Sequence, residues 1–232
     1  MKLALLADIH ANARALAAVL SAARAEGVDT LLVAGDFVGY YYEPAQVLAQ
    51  LGEWNVVAVK GNHEDMLERA ATDEAFLRDC ARRYGSGLEL ALASLSGPQR
   101  EDLIALPRSR RVEIGGVRIL LAHGSPWSTD EYLYPDAAEG KWRDVAGLDA
   151  DVVVCGHTHY RLAKRIGPTL FVNPGSVGQQ RDRVPGAAWA LLDTAGPSAE
   201  LRAQPYDADE LAAEAGRRDP GLPYLREVLY RK

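Results

Sequence analysis

Short apolar runs, each closed by Gly, Asp, Asn or His, dominate the pattern along this chain. Lys2–Ala7 ends in Asp8, Thr30–Ala34 in Gly35-Asp36, and Val56–Val59 leads to Gly61-Asn62-His63. Between them lie an alanine-rich helical stretch, opened by Asn12 and stopped by Gly27, and a second over Pro44–Leu51. Continuous apolar strands alternating with helices predict βαβ units and a mostly parallel, buried sheet. Residues 64–106 carry no strand pattern and read as two or three helices, broken near Gly85–Gly87 and Gly97-Pro98. Strands return at Arg110–Ile114, Val117–Ala122, Val152–Cys155, Tyr160–Arg165, Thr169–Val172, Ala187–Leu192 and Glu200–Gln204, with Gly115-Gly116 as a hairpin turn. Asp130–Val145 reads as an irregular, aromatic-bearing insertion, and Asp207–Ala215 and Leu222–Tyr230 as closing helices. About ten strands exceed a single helix-flanked sheet, so an α/β fold with two stacked sheets and helices outside is expected. With no repeat or linker, residues 1–232 read as one domain.

The candidate chemistry sits at the ends of these runs. All five histidines fall in short motifs: His10 in ADIHAN, His63 in GNHE, His123 in AHGSP, and His157 and His159 in CGHTH. Ligands of open α/β sheets gather at the carboxyl ends of strands, where Asp8, Asp36, Asn62, His123 and His157 lie. Asp8/His10 and His157/His159 are i, i+2 pairs, and extended backbone would aim both members the same way. A single Asp or His at a strand end is usually a turn or surface residue. Five strand ends, each delivering His, Asp or Asn, point instead to nitrogen and oxygen ligands for two metal ions, with one imidazole left over. That mixed set suits Mn²⁺, Fe, Zn²⁺, Co²⁺ or Ni²⁺ better than Mg²⁺ or Ca²⁺.

The series DIH, GD, GNHE, HG and GHTH resembles the calcineurin-like metallophosphoesterase superfamily. GDFVGYYYEP, HGSPWSTDEYL and NPGSVGQQRD are similar to its small bacterial and archaeal phosphodiesterase members, and the match runs from Lys2 to about Asp193. The resemblance implies a four-layer αββα sandwich. It also implies one divalent ion on Asp8, His10 and His159 and a second on Asn62, His123 and His157, with Asp36 bridging them. By the same resemblance Mn²⁺ is the preferred ion. His63 would stay off the metals as the catalytic side chain, protonating the leaving alkoxide or hydrogen-bonding a phosphoryl oxygen. The implied reaction is hydrolysis of a small phosphate ester, a phosphodiester of nucleotide or cyclic nucleotide type, by water that the ions activate.

Three other readings stand beside it. A phosphomonoesterase would use the same centre. A nuclease of the double-strand-break repair type would bring DNA-binding segments and basic surface, and this chain has neither. A non-catalytic scaffold on the same fold would show eroded ligands, and none is eroded here. Glu64 of GNHE matches the usage of the Ser/Thr phosphatases, but their GDxVDRG is GDFVGY here, without the arginine. A zincin helix would need a second histidine where Leu67 stands.

Softer candidates surround this core. Asn12 either caps the first helix or touches a phosphoryl oxygen. Tyr40, Tyr41 and Tyr42 either line a pocket or pack against the next helix. Arg181 is the best basic candidate for substrate phosphate, just past the turn Asn173–Gly175. Trp127, Tyr132 and Tyr134 either roof the cleft or form a homo-oligomer contact. A formal charge of −6 argues against binding a nucleic-acid polymer, and the clusters Arg108/Arg110/Arg111 and Arg217/Arg218 read as solvated faces. Of the two cysteines, Cys155 reads as buried and Cys80 as partly exposed, both free thiols. The apolar run before Asp8 is short for a signal peptide and no window suits a membrane span, so a cytoplasmic, soluble protein is expected.

Overall fold

In the computed structural model, which describes residues 1–231, ten strands form two five-stranded mixed sheets. The first sheet takes β1 (Lys2–Leu6), β2 (Thr30–Ala34) and β3 (Asn55–Val59) in parallel; β9 (Ala187–Asp193) lies antiparallel to β1, and β10 (Ser198–Gln204) closes that edge. The second has the order β4 (Ser109–Ile114), β5 (Val117–Ala122), β6 (Val152–Val154), β8 (Thr169–Asn173), β7 (Leu162–Ile166). Its central three strands are parallel and both edges antiparallel.

Period-two alternation builds the layers. Leu3 and Leu5 of β1 point between the sheets, against a core that includes Ile119, Leu121, Val154 and Val172 of the second sheet. Ala4 and Leu6 point the other way, under the helices that pack on the first sheet. Those helices are α1 (Ala13–Ala25), α2 (Pro44–Leu51), α3 (Asn62–Ala70), α4 (Glu74–Tyr84), α5 (Gly87–Ser94) and α6 (Gly97–Ile104). On the outer face of the second sheet, Trp142 and Val145 of α7 (Glu139–Ala146) cover Leu120, Val153 and Phe171. The result is the expected αββα sandwich. A C-terminal layer, α8 (Asp209–Arg218), α9 (Tyr224–Glu227) and a 3₁₀ turn at Val228–Tyr230, packs on Tyr41 and Tyr42.

Several details differ from the sequence reading. Residues 64–106 hold parts of four helices, because Asp73 caps a new one by accepting from the Phe76 N–H at 2.9 Å. The insertion 130–145 is not wholly irregular, since most of α7 lies in it and buries Trp142. Cys80 is buried, on the face of α4 that meets the core. No helix among the described residues is long and apolar enough to cross a membrane.

Candidate metal centre

The carboxyl ends of β1, β2, β3, β5 and β6 converge on one rim, and there the structure gathers Asp8, His10, Asp36, Asn62, His123, His157 and His159. Asp8, His10 and His159 bring ligand atoms within 4.8 Å of one another, as do Asp36, His123 and His157. Asn62 Oδ1 joins the second group, 3.0 Å from His123 Nε2. Asp36 lies between the groups, its Oδ2 3.7 Å from His10 Nε2 and 3.3 Å from His123 Nε2.

The backbone reason differs from the one the i, i+2 spacing suggested. Asp8, His10, Asp36, His157 and His159 all lie in the left-handed region, with φ between 50° and 66°, so neither pair is extended. Each such residue costs about 1 kcal/mol or more. Loop-to-loop hydrogen bonds offset the cost: the N–H groups of Asp8, His10 and Ala11 donate to the carbonyls of Gly35, Asp36 and Phe37 at 2.8–3.1 Å. The His157 N–H in turn donates to Asp8 Oδ2 at 2.9 Å, tying the two sheets together at the site.

Hydrogen bonds also fix the rings. Nδ1 of His10, His123 and His159 lies 3.1, 2.6 and 2.6 Å from the carbonyl oxygens of Val38, Ala34 and Gln179. The rings of His10 and His159 therefore donate from Nδ1 and turn an Nε2 lone pair to the interior. Nε2 of His10 and Nε2 of His159 then face each other at 3.1 Å. Two lone pairs at that distance repel, and a cation between them removes the conflict. Nitrogens bound to one ion at roughly 2.1 Å stand about 3.0–3.4 Å apart, so the spacing and the donor chemistry fit a metal. His157 offers Nδ1, 3.2 Å from His123 Nε2, while its Nε2 is buried without a partner.

Charge points the same way. Burial holds His10, His157 and His159 below the ordinary imidazole range, His157 at about 4, which keeps them neutral as ligands must be. Burial opposes ionisation of His123 too, but the adjacent Asp36 carboxylate outweighs it and pushes the group up to about 10. Asp36 is held well below the usual carboxylate range against burial, chiefly by His123. The position between them calls for positive charge.

His63 stands beside this group. Its N–H donates to Asp36 Oδ1 at 2.9 Å and its ring meets His10 edge-on at 4.8 Å. Its Nδ1 is walled off by Gly39 (φ +86°), where a Cβ would lie 2.0 Å away, so the cavity is served by the Nε2 edge. Burial lowers its pKa. Arg181, Tyr40, Tyr84 and Tyr132 complete the walls of a cavity of ≈ 50 Å³ over the cluster. Arg181 donates to the Tyr40 hydroxyl at 3.0 Å and to Gln179 Oε1 at 2.7 Å, both neutral partners, which leaves its charge for an anion.

Asn12 is not in the cavity wall. Its Oδ1 accepts from the Ala15 N–H and its Nδ2 donates to Gly178 O and the Tyr206 hydroxyl, so its side chain is spent on the helix cap and one loop. The structure thus places Asn12 as the cap of α1 rather than beside the phosphate. Of the three tyrosines only Tyr40 reaches the cavity; Tyr41 and Tyr42 are bonded to Leu225 O and Asp219. Tyr132 does roof the cleft, its ring 4.1 Å from that of His157.

Glu64, which in the sequence stands out only as a mark of kinship, has a structural role in the site. Fully buried, its carboxylate accepts from the N–H groups of Gly61 (2.8 Å), Phe37 (2.8 Å) and Asp36 (2.9 Å), clamping the Asp36 loop to the Asn62-His63 loop. Burial, then the Asp36 charge, pushes it up to about 7 against the pull of those amides. The signal was half present: a Glu three residues after the N-cap Gly61 can reach back to its N–H, but glycine has no side chain to complete a capping box. Tyr84, in a polar helical stretch, gave none.

The calcineurin-like phosphoesterase superfamily profile matches residues 1–196. A phosphodiesterase of Escherichia coli K12, YfcE, is 25% identical over 204 residues, covering 83% of this chain and 88% of that protein. The crystal structure of a metallophosphoesterase from Sphaerobacter thermophilus superposes with a TM-score of 0.79 at 26% identity, covering 100% of this chain and 98% of that one. The hypothetical protein PH1004 from Pyrococcus horikoshii gives 0.83 at 23% identity, covering 99% and 98%.

Proposed function

The chain belongs to the calcineurin-like phosphoesterase superfamily, and from that premise we propose that it is a dinuclear metal-dependent phosphodiesterase acting on a small ester of nucleotide type. One observation carries the reading: the opposed Nε2 atoms of His10 and His159, both left as lone pairs by their Nδ1 bonds. Asp8, His10 and His159 would hold one ion and Asn62, His123 and His157 the other, with Asp36 placed between the two groups. Mn²⁺ is the preferred occupant by family likeness, and the donor set equally suits Fe, Zn²⁺, Co²⁺ or Ni²⁺. Bound there, such ions supply an acidified water and neutralise charge on the phosphoryl oxygens.

The protein's own groups do the rest. Arg181, steadied by Tyr40 and Gln179, binds and orients the phosphate. His63, kept neutral by burial, donates Nε2–H to a phosphoryl oxygen. The substrate proposed is a diester rather than a monoester. The likeness to YfcE, named as a phosphodiesterase, supports the same choice. With Mn²⁺ added, hydrolysis of bis-nitrophenyl phosphate should exceed that of nitrophenyl phosphate. The opposite order would make it a monoesterase, and no turnover of either would revive the scaffold reading.

A further inference from the structure

Beside the cavity lies a strip of tyrosines that neither the metal cluster nor the core requires. Tyr132 covers His157; Tyr134 stacks on Tyr132, ring centroids 5.6 Å apart and planes 5° from parallel; Tyr160 meets Tyr134 edge-on at 5.4 Å. All three are exposed, at 49%, 36% and 36%, and together they make a contiguous aromatic patch, which marks a surface for interaction. They come from two segments: the loop after His123 and the residue directly following His159.

The strip is held rigid from below. Leu133, between the two outward tyrosines, is 2% exposed and packs in the cluster of Trp142 and Phe171. The Ala137 N–H closes a turn onto the Tyr134 carbonyl at 2.9 Å, and Ser125 Oγ holds Glu131 at 2.6 Å. Alternation about Leu133 therefore fixes Tyr132 and Tyr134 outward. A surface whose aromatic rings are ordered before any ligand arrives loses little entropy on binding.

Resting on the proposed phosphodiesterase reading, we infer that Tyr132, Tyr134 and Tyr160 form the subsite for a planar aromatic arm of the substrate, a nucleobase laid against the ring surface that the strip leaves exposed. Continuity with the cavity makes the occupant part of the bound ester, because Tyr132 belongs both to the cavity wall and to the strip. A group attached to a phosphate bound at Arg181 and the metal ligands leads out over it. Stacking uses the ring face that every base has, so the subsite separates aromatic arms from alkyl arms and is indifferent to which base is present.

Adenosine 5′-monophosphate, uridine 5′-monophosphate and ribose 5-phosphate test this, since the last differs from the others only by lacking the base. Their affinities for the full Mn²⁺-loaded chain are measured by calorimetry, beside hydrolysis of bis-nitrophenyl phosphate. Both nucleotides should bind roughly 10-fold or more tightly than ribose 5-phosphate. That ratio should fall toward one in Tyr134→Ala and persist in Tyr134→Phe. Equal binding of all three in the wild type, or a ratio that survives Tyr134→Ala, overturns the subsite. So does a Tyr134→Ala chain that changes oligomeric state and keeps the ratio, which would assign the strip to a contact between copies. Failure of the phosphodiesterase reading shows separately, as absent hydrolysis whatever the ratio.

Discussion

Replacing Glu64 by alanine should cost the protein both stability and metal. The buried carboxylate satisfies three backbone N–H groups at 2.8–2.9 Å, from Gly61, Phe37 and Asp36, and approaches a fourth, from Val38, at 3.4 Å. Alanine leaves those donors facing a buried cavity, and an unsatisfied buried donor costs about 1–3 kcal/mol. Water entering the space recovers part, so a loss of about 3–5 kcal/mol is expected, a large share of the 5–15 kcal/mol typical of a folded protein. For a chain of this size each kcal/mol lowers Tm by about 2–4 °C. Because Asp36 and Asn62 sit on the two loops that Glu64 joins, Mn²⁺ affinity should also fall roughly 10–100-fold. Urea denaturation of the metal-free protein gives the first number and Mn²⁺ calorimetry the second. Glu64→Asp, which keeps the carboxylate, should recover part of both. A Glu64→Ala protein within 1 kcal/mol of wild type, binding Mn²⁺ normally, would refute the clamp.

Other substitutions separate the parts of the site. His63→Ala should keep its metal but lose roughly 100-fold or more in kcat, equally for good and poor leaving groups; a loss that disappears with nitrophenolate would make His63 the acid instead. Gly39→Ala places a Cβ 2.0 Å from His63 Nδ1 at a φ of +86° and should lower activity nearly as far with the metal content unchanged. Arg181→Ala should raise KM roughly 10-fold or more, as loss of a charge-assisted hydrogen bond of about 1.5–3 kcal/mol requires, without rescue by lysine. Away from the site, hydrogen bonds from Lys2 and Arg202 lower Glu26 to about 2. Its depressed value means that its contribution to stability is present above the unfolded value of 4.5 and is lost as pH falls toward about 2. Glu26→Gln should flatten that part of an acid unfolding curve.

Much of the fold was legible because burial leaves a periodic trace. Leu3 and Leu5 against Ala4 and Leu6 read as a strand covered on both faces, and Asn12 and Gly27 marked the two ends of α1. The break at Asp73 was missed because polar α3 and α4 give a capping aspartate nothing to stand out against. All the candidate ligands could be found from strand ends, but their geometry could not. The left-handed backbone of Asp8 depends on its N–H bond to the Gly35 carbonyl and on the Ser176 hydroxyl bond to its own carbonyl, and that of His157 on its N–H bond to Asp8 Oδ2, contacts between residues distant in sequence. Tyr84 reaches the cavity by tertiary packing alone, and no local pattern announces that.

Metal content tests the central claim most directly. Wild-type protein stripped with chelator, reloaded with Mn²⁺ and freed of excess should carry two ions per chain by elemental analysis. His159→Ala should retain one, and hydrolysis of bis-nitrophenyl phosphate should return with the second ion. Less than one ion per chain in the wild type, with no Mn²⁺-stimulated hydrolysis, would contradict the account.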